Sequence, residues 1–278
     1  MSRVRILTDS TADVPADLAR RLGITVVPAY VHMDGRSLRD GDQITRAEFY
    51  RRLPELSEIP TTAVPSVHEF AAAFLSLVGQ AEEVIAILVS TTLSGMLNAA
   101  RLGSQEVPEL KVHLVDSRQL MMGLGWQVII AAEAAAEGLG AGEILARIRE
   151  IQPRVRILGL LDTLEHLRRS GRVAWARAVA AQILRIKPLI EFRQGEAVLV
   201  GQARTRRKAI QRLLEMIAAL GPLERLAVIH AAAPDVEPFR ARLGALFPGQ
   251  QILVSEIGPT VGTHLGPRAL GIAAIVAA

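Results

Sequence analysis

Two continuous apolar runs, EVIAILVS at 83–90 and KVHLVDS at 111–117, restrict the fold of this chain more than any other feature. Runs of this length without polar alternation are typical of buried parallel strands. Helical stretches are expected between and around them, at about 66–79, 94–106 and 122–137. With strand-like runs at 3–8 and 24–33, this order predicts strand–helix–strand units, that is, a mostly parallel sheet with helices on its faces.

The second half of the sequence has a different order of elements. Pro153 breaks a helical pattern and marks the expected boundary between an N-terminal domain, 1–152, and a C-terminal domain, 153–278. The segments that follow are RILGLLDT, LEHLRRSG, a long apolar-faced helix, a hairpin of IKPLIEF and AVLVGQARTR, the strands LAVIHAA and QILVSEI, and a C-terminal helix. We therefore predict an α/β protein of two domains, the second with a mixed sheet.

Composition excludes several classes of protein. Half of the 278 residues are hydrophobic and 22% are charged, which excludes a disordered chain. With no cysteine, disulfides, thiolate metal sites and cysteine nucleophiles are excluded. No apolar run approaches the roughly 20 residues of a membrane-spanning helix, and the N-terminus resembles a strand rather than a signal peptide. A cytoplasmic location without a membrane span is expected.

Three predicted turns between a strand and a helix carry hydroxyl groups or glycines, at 9–11, 90–95 and 258–267. Such turns place free backbone N–H groups at the carboxyl edge of a sheet, where anions and ligands bind. For any one of these turns, helix capping alone is the commoner explanation of the hydroxyl residues. A fourth loop, TTAVPS at 61–66, offers Thr62, and the glycine-rich third turn offers His264 as a donor to an oxyanion.

Two other patterns allow a functional and a structural interpretation. Asp9 and Asp116 each end a strand before a serine, where a carboxylate can bind a metal or cap a turn, and capping is the commoner role. The segment ARTRRKAIQR places Arg204, Arg206 and Arg207 at a helix start, which favours either an anionic partner or a solvated face. The chain has 10 aromatic residues and none is interleaved with an arginine cluster, so a nucleic-acid platform is weakly supported.

Taken together, the ordered segments resemble the DegV family of fatty-acid-binding proteins. ILTDSTADVP resembles the opening segment of that family, TTAVPS its hydroxyl loop, and LVSTTLSGMLNAA its S-G helix start. The later matching segments are LVDSRQLMMGLG, LEHLRRSGRV, LRIKPLI, GQARTRRKA and IGPTVGTHLGP, so that the resemblance covers about residues 3–271.

The resemblance implies one long-chain fatty acid, such as palmitate, enclosed between the two domains. It implies that the carboxyl group is held by Thr62, Ser94 and Gly95, with His264 nearby and Arg172 as a weaker candidate. It also implies a fatty acid kinase as partner, and a carrier without a cofactor, a metal or an activity of its own. The chain departs from the family pattern beside this site, at Ala63, Val64 and Met96.

Two alternatives remain open from the sequence. One is an acyl- or phosphoryl-transfer enzyme that uses Ser94 and His264, which requires a contact between nucleophile and base. The other is a regulatory or nucleic-acid-binding protein that uses the arginine segments. For the carrier, we expect Arg204, Arg206 and Arg207 to project outward and dock the partner kinase, because clustered cations are costly to bury.

Overall fold

The structure is a computed structural model that describes residues 4–173, 176 and 186–278. The long apolar-faced helix predicted after LEHLRRSG falls on residues outside this range. The strands are β1 (Val4–Asp9), β2 (Thr25–Val27), β3 (Tyr30–Met33), β4 (Arg36–Arg39), β5 (Thr61–Ala63), β6 (Glu83–Leu88), β7 (Lys111–Asp116), β8 (Val155–Leu160), β9 (Lys187–Arg193), β10 (Glu196–Ala203), β11 (Leu223–His230), β12 (Ile252–Glu256) and β13 (Leu270–Val276).

The α-helices connect these strands. They are α1 (Ala16–Arg21), α2 (Arg46–Arg52), α3 (Val67–Leu75), α4 (Met96–Gln105), α5 (Met121–Ala136), α6 (Ala141–Ile151), α7 (Glu165–Ser170), α8 (Arg206–Ala218), α9 (Val236–Leu246) and α10 (Pro259–Leu265). The helices predicted at 66–79, 94–106 and 122–137 correspond to α3, α4 and α5.

The first sheet is parallel throughout, with the strand order β2-β1-β6-β7. The apolar run at 83–90 forms its core strand β6, in which Val84, Ile85, Ala86, Ile87 and Leu88 are all fully buried. A strand covered on both faces needs apolar side chains in both directions, which explains the continuous run. The predicted mostly parallel sheet is confirmed.

The strand-like run at 24–33 divides at Pro28 rather than forming one strand. Proline has no N–H to donate to a ladder, so β2 ends before it and β3 begins after it. β3 then forms a small antiparallel sheet with the order β4-β3-β5, in which Val31 lies opposite Thr62. The TTAVPS segment is therefore a short strand followed by the capping box of Ser66 and Glu69 at α3.

The second large sheet has the order β10-β9-β8-β13-β11-β12 and is mixed, as predicted, since β11 and β12 are parallel and the other pairs are antiparallel. The expected C-terminal helix is wrong for the last residues. After β12, residues 259–265 form the short helix α10, and residues 270–276 form β13 in the centre of this sheet. Its short apolar run is buried on both faces, and periodicity alone does not distinguish such a strand from a buried helix.

Helix α5 packs against both large sheets. It is apolar on nearly all sides, which is typical of a helix surrounded by protein. Gly125 lets α5 lie close to the turn after β1, because a Cβ atom at this position would lie 2.6 Å from the carbonyl oxygen of Ala12. On the other side, Trp126 Nε1 donates to the carbonyl oxygen of Ala273 at 2.9 Å. One apolar core therefore runs from the parallel sheet through α5 to the mixed sheet.

Candidate ligand-binding site

An apolar cavity lies between the two halves of the chain. The parallel-sheet half contributes Val89, Leu93, Met96, Leu120 and Met121 to its wall. The mixed-sheet half contributes Ile157, Leu160, Leu161, Leu167, Val173, Ile190, Phe192, Ile229 and Leu270, among others. A cavity of this chemistry suits a long hydrocarbon group, which is excluded from water and needs no directed hydrogen bonds.

Three polar side chains that the sequence predicted for the site, Thr62, Ser94 and His264, line this cavity together. They come from β5, from the loop after β6 and from the last turn of α10. Thr62 Oγ1 and His264 Nε2 are 3.1 Å apart, which is a hydrogen bond between residues 202 positions apart in the sequence. The small antiparallel sheet and α10 therefore meet at the polar part of the cavity.

His264 is neutral at neutral pH. Burial is the main cause that lowers its pKa from the ordinary 6.5 to about 4, and the positive charge of Arg172 and, when protonated, that of His166 act in the same direction. A neutral imidazole has one N–H. When Nε2 carries that proton, it donates to Thr62 Oγ1 and leaves the Thr62 hydroxyl hydrogen for a ligand. When Nδ1 carries it, Nε2 accepts from Thr62. The Thr62–His264 pair therefore carries no net charge, and the choice of tautomer decides which hydrogen the pair can offer to a ligand.

Ser94 is half-buried and lies just before α4. Its Oγ accepts a hydrogen bond from the backbone N–H of Met96 at 3.3 Å, so that the hydroxyl hydrogen is free to donate elsewhere. Gly95, the N-cap residue of α4, is exposed and lies beside the cavity rather than in its wall. The three residues that depart from the family pattern, Ala63, Val64 and Met96, all line the cavity.

Arg172 also lines the cavity, from the segment after α7. It is exposed, and its Nη1 donates to the carbonyl oxygen of Ser170 at 2.9 Å. Its charge at the polar end favours an anion there, since His264 supplies none. Of the residues that the sequence predicted for ligand binding, the structure therefore brings four to one cavity and places Gly95 next to it.

The model of the DegV family matches residues 3–277 of the sequence. The chain belongs to the DegV family. A DegV domain-containing protein of Caldanaerobacter subterraneus subsp. tengcongensis is 32% identical to it over 279 residues, and the match covers 98% of each chain.

Solved structures of DegV family proteins have the same fold. A protein from Thermus thermophilus, described by its fatty acid binding, has a TM-score of 0.91 and 32% identity, with 99% of this chain and 100% of that chain covered. DegV of Bacillus subtilis, described as a fatty acid binding protein, has a TM-score of 0.90 and 30% identity, with both chains covered completely. These matches agree with the two-domain α/β fold predicted from the sequence.

The enzyme alternative receives no geometric support. In the part of the chain that the structure describes, Ser94 Oγ accepts from the Met96 amide and His264 Nε2 is hydrogen-bonded to Thr62, and no hydrogen bond joins Ser94 to His264 as a nucleophile–base pair requires. No helix in the same residues is both long enough and apolar enough to cross a membrane.

The carboxylates of Asp9 and Asp116 cap turns. Asp9 is buried, and its two oxygens accept from the backbone N–H groups of Thr11 and Val89, each at 2.9 Å. Asp116 accepts from the N–H of Arg118 at 2.8 Å and from the Thr91 hydroxyl at 2.6 Å. Among residues 4–173, 176 and 186–278, no group of three or more acidic, histidine or cysteine side chains is arranged to hold a metal ion.

The expectation for the arginine cluster is wrong at Arg206. Arg204 and Arg207 are exposed, but the side chain of Arg206 is only 13% exposed and forms a two-pronged ion pair with Asp235, at 2.7 and 2.6 Å. Its Nη1 also lies 3.4 Å from Asp162. The sequence next to Arg206 has no acidic residue. Its partners Asp162 and Asp235 lie 44 residues before it and 29 residues after it in the sequence.

Proposed function

We propose that this chain binds one long-chain fatty acid, with the hydrocarbon tail in the apolar cavity and the carboxyl group beside Thr62, Ser94 and His264. The observation that carries the proposal is the form of the cavity, which has apolar walls from both halves of the chain and is also lined by the hydroxyls of Thr62 and Ser94 and by the neutral imidazole of His264, which contacts Thr62. Family membership and the fatty acid binding of its relatives from Thermus thermophilus and Bacillus subtilis support it.

The tail supplies most of the binding free energy in this proposal. About 14 buried methylenes contribute up to about 11 kcal/mol at about 0.8 kcal/mol each, before the cost of ordering the chain. Removing the carboxylate from water costs several kcal/mol unless donors meet it. The hydroxyls of Thr62 and Ser94 offset that cost and fix the direction in which the acid lies.

The polar end is close to solvent, which supports a role in presentation. Thr62 and Ser94 are half-buried, and Gly95 and Arg172 are exposed. A carboxyl group held there is within reach of another protein, whereas the tail is not. We infer that a fatty acid kinase phosphorylates the bound carboxyl group, that the exposed Arg204 and Arg207 contribute to its docking, and that this chain acts as a carrier rather than as an enzyme.

The proposal treats 1–152 and 153–278 as the two domains. The parallel sheet uses strands that end at Asp116, and the mixed sheet uses strands from Val155 onward. Helix α5 belongs to the first domain in sequence and packs on both sheets, so it joins the domains beside the cavity.

The decisive experiment is to purify the protein from bacteria without delipidation, denature it, and identify the released small molecules by mass spectrometry. We expect about one long-chain fatty acid per chain. Extracts without fatty acid, together with no binding of added hexadecanoate to the native protein, would contradict the proposal. Hydrolysis of an acyl ester or acyl phosphate that is lost in Ser94→Ala would instead favour the enzyme.

A further inference from the structure

Two buried carboxylates hold the start of the helix that carries His264. Asp13 Oδ1 accepts from the backbone N–H of Gly258 at 2.8 Å, and Asp40 Oδ2 accepts from the N–H of Thr260 at 3.1 Å. Asp13 is 1% exposed and Asp40 is 5% exposed. The N–H groups at a helix start have no partner within the helix, so these carboxylates satisfy donors that would otherwise be buried without one.

The same turn has two further contacts with the N-terminal half. Ser255 Oγ donates to the carbonyl oxygen of Asp13 at 2.6 Å, and Tyr50 Oη donates to that of Ile257 at 2.9 Å. Together with the carboxylates, four hydrogen bonds reach residues 255–260 from positions more than 200 residues earlier. The start of α10 is therefore fixed to the other half of the molecule.

The two carboxylates crowd the N-cap position, where a side chain larger than that of glycine would require them to shift. A Cβ atom at Gly258 would lie 2.9 Å from Asp13 Oδ1 and 3.2 Å from Asp40 Oδ1. The two carboxylates thus converge on one backbone position. Arg46 Nη2 lies 3.3 Å from Asp13 Oδ1 and supplies a positive charge, although burial still raises the pKa of Asp13 to about 7.

The other end of this short helix lies at the polar part of the cavity. Thr260 and His264 are four residues apart, so about 6 Å of rigid helix separates the Asp40 contact from the imidazole. A shift or rotation at the helix start is transmitted to His264, because one turn of helix has no joint that could absorb it. The 3.1 Å contact between His264 and Thr62 depends on that position.

We propose that Asp13 and Asp40 are positioning residues for His264: by holding the start of α10, they keep the imidazole against Thr62 at the polar end of the cavity. The role in positioning is a property of the free protein. Its consequence for ligand affinity rests on the proposed fatty-acid function.

Two pairs of variants test the positioning role. Gly258→Ala pushes the carboxylates off the helix without changing any charge, and Gly142→Ala is its control, because a Cβ atom at Gly142 meets nothing within 4 Å. Asp40→Leu removes the acceptor for the Thr260 N–H at similar size, whereas Asp40→Asn keeps an acceptor oxygen and removes the charge. Circular dichroism establishes which variants are folded at the temperature used.

The first measurement is the titration of the His264 imidazole by NMR in the free protein. We expect the pKa to rise from about 4 toward 6.5 in Gly258→Ala and Asp40→Leu, because a displaced imidazole is more hydrated. Gly142→Ala should leave it unchanged, and Asp40→Asn should not raise it. A merely structural role would lower the stability of the folded variants without moving this titration, and that result overturns the proposal.

The second measurement compares the binding of hexadecanoate with that of hexadecanol. We expect Gly258→Ala to weaken the acid by about 10-fold, the order of one hydrogen bond to a charged group, and to leave the alcohol unchanged. Equal weakening of both ligands overturns the positioning role. If the wild-type protein binds neither ligand, the fatty-acid function fails, and the NMR titration alone decides whether Asp13 and Asp40 position His264.

Discussion

The polar and apolar parts of the cavity are built in opposite ways. The polar part depends on three side chains from distant positions, Thr62, Ser94 and His264, and on the contact of 3.1 Å between two of them. The apolar part consists of many side chains from the mixed sheet, from the segment between β6 and α4, and from the start of α5. One substitution removes a large part of the first and only a small part of the second.

Because of this difference, the orientation of a bound ligand and its affinity depend on different parts of the cavity. Apolar contact is nondirectional and adds up over area, so the wall contributes free energy that tolerates single changes. Hydrogen bonds to a carboxylate require donors at set positions, and a missing donor leaves a buried charge without a partner. Under the proposed function, the wall would therefore determine how tightly an acid is held, and the polar end would determine which end of it faces the proposed partner.

The largest expected effect tests the wall. Replacing hexadecanoate by dodecanoate removes four methylenes, and at about 0.8 kcal/mol each the affinity should fall by about 3 kcal/mol, or about 200-fold. Isothermal titration of delipidated protein with both acids measures the difference. An equal dissociation constant for the two acids would show that the additional methylenes remain in water and that the apolar wall does not hold the tail.

The next effect tests the polar end. Thr62→Val removes one donor at nearly constant volume and should weaken the binding of the acid by about 1.5–3 kcal/mol, as should Ser94→Ala. Thr61→Val is the matched control, because Thr61 is the exposed neighbour of Thr62 on β5 and does not line the cavity. If Thr62→Val and Ser94→Ala both bind like the control, the carboxyl group lies elsewhere.

The contrast also explains what the sequence could predict. The elements of the parallel sheet follow from apolar runs and helical periodicity, which are local properties of β6, β7 and the helices near them. The hydroxyl and glycine turns, together with the family resemblance, indicate Thr62, Ser94 and His264 as site residues. The strand and turn signals each lie within about ten consecutive residues, whereas the resemblance depends on the order of segments over about residues 3–271.

The features that the sequence did not predict depend on distant partners. β13 is a strand because it lies between β8 and β11, and its own apolar pattern also fits a helix. Arg206 is paired because the fold brings Asp162 and Asp235 to it. The bonds of Asp13 and Asp40 to α10 join residues 245 and 220 positions apart. Local periodicity carries no information about such pairs.

A third prediction concerns pH, which acts on the polar end and not on the apolar wall. Burial holds the pKa of His264 at about 4, below its ordinary 6.5, so the unfolded chain binds more protons between these values. The stability contributed by neutral His264 is complete above pH 6.5 and is lost as the pH falls toward 4. Burial raises the pKa of Asp13 to about 7, which has the opposite sign: stability falls as the pH rises from about 4 to 7.

Urea denaturation of wild type and His264→Gln between pH 4 and pH 7.5 separates the two groups. In the wild type the opposing slopes partly cancel. His264→Gln removes the histidine contribution, so its free energy of unfolding should decrease more steeply with rising pH than that of the wild type between 4 and 6.5. Parallel pH profiles for the two proteins would mean that His264 titrates alike in the folded and unfolded chains.

The smallest expected effect concerns what a partner meets outside the cavity. Arg204 and Arg207 are exposed, whereas Arg206 is bound to Asp235, so only the first two are free to meet an acidic surface.

The double variant Arg204→Glu/Arg207→Glu should slow phosphorylation of the bound acid by a bacterial fatty acid kinase several-fold at low salt and less at high salt, because salt screens exposed charges. Its affinity for hexadecanoate should equal that of the wild type, since neither arginine lines the cavity. Arg206→Glu is the contrasting variant: it places a third carboxylate beside Asp162 and Asp235 and should lower the free energy of unfolding, whereas substitution of the two exposed arginines should not. A double variant that loses the acid while remaining folded would assign Arg204 and Arg207 to the ligand site, and the division between the cavity and the partner surface would then be wrong.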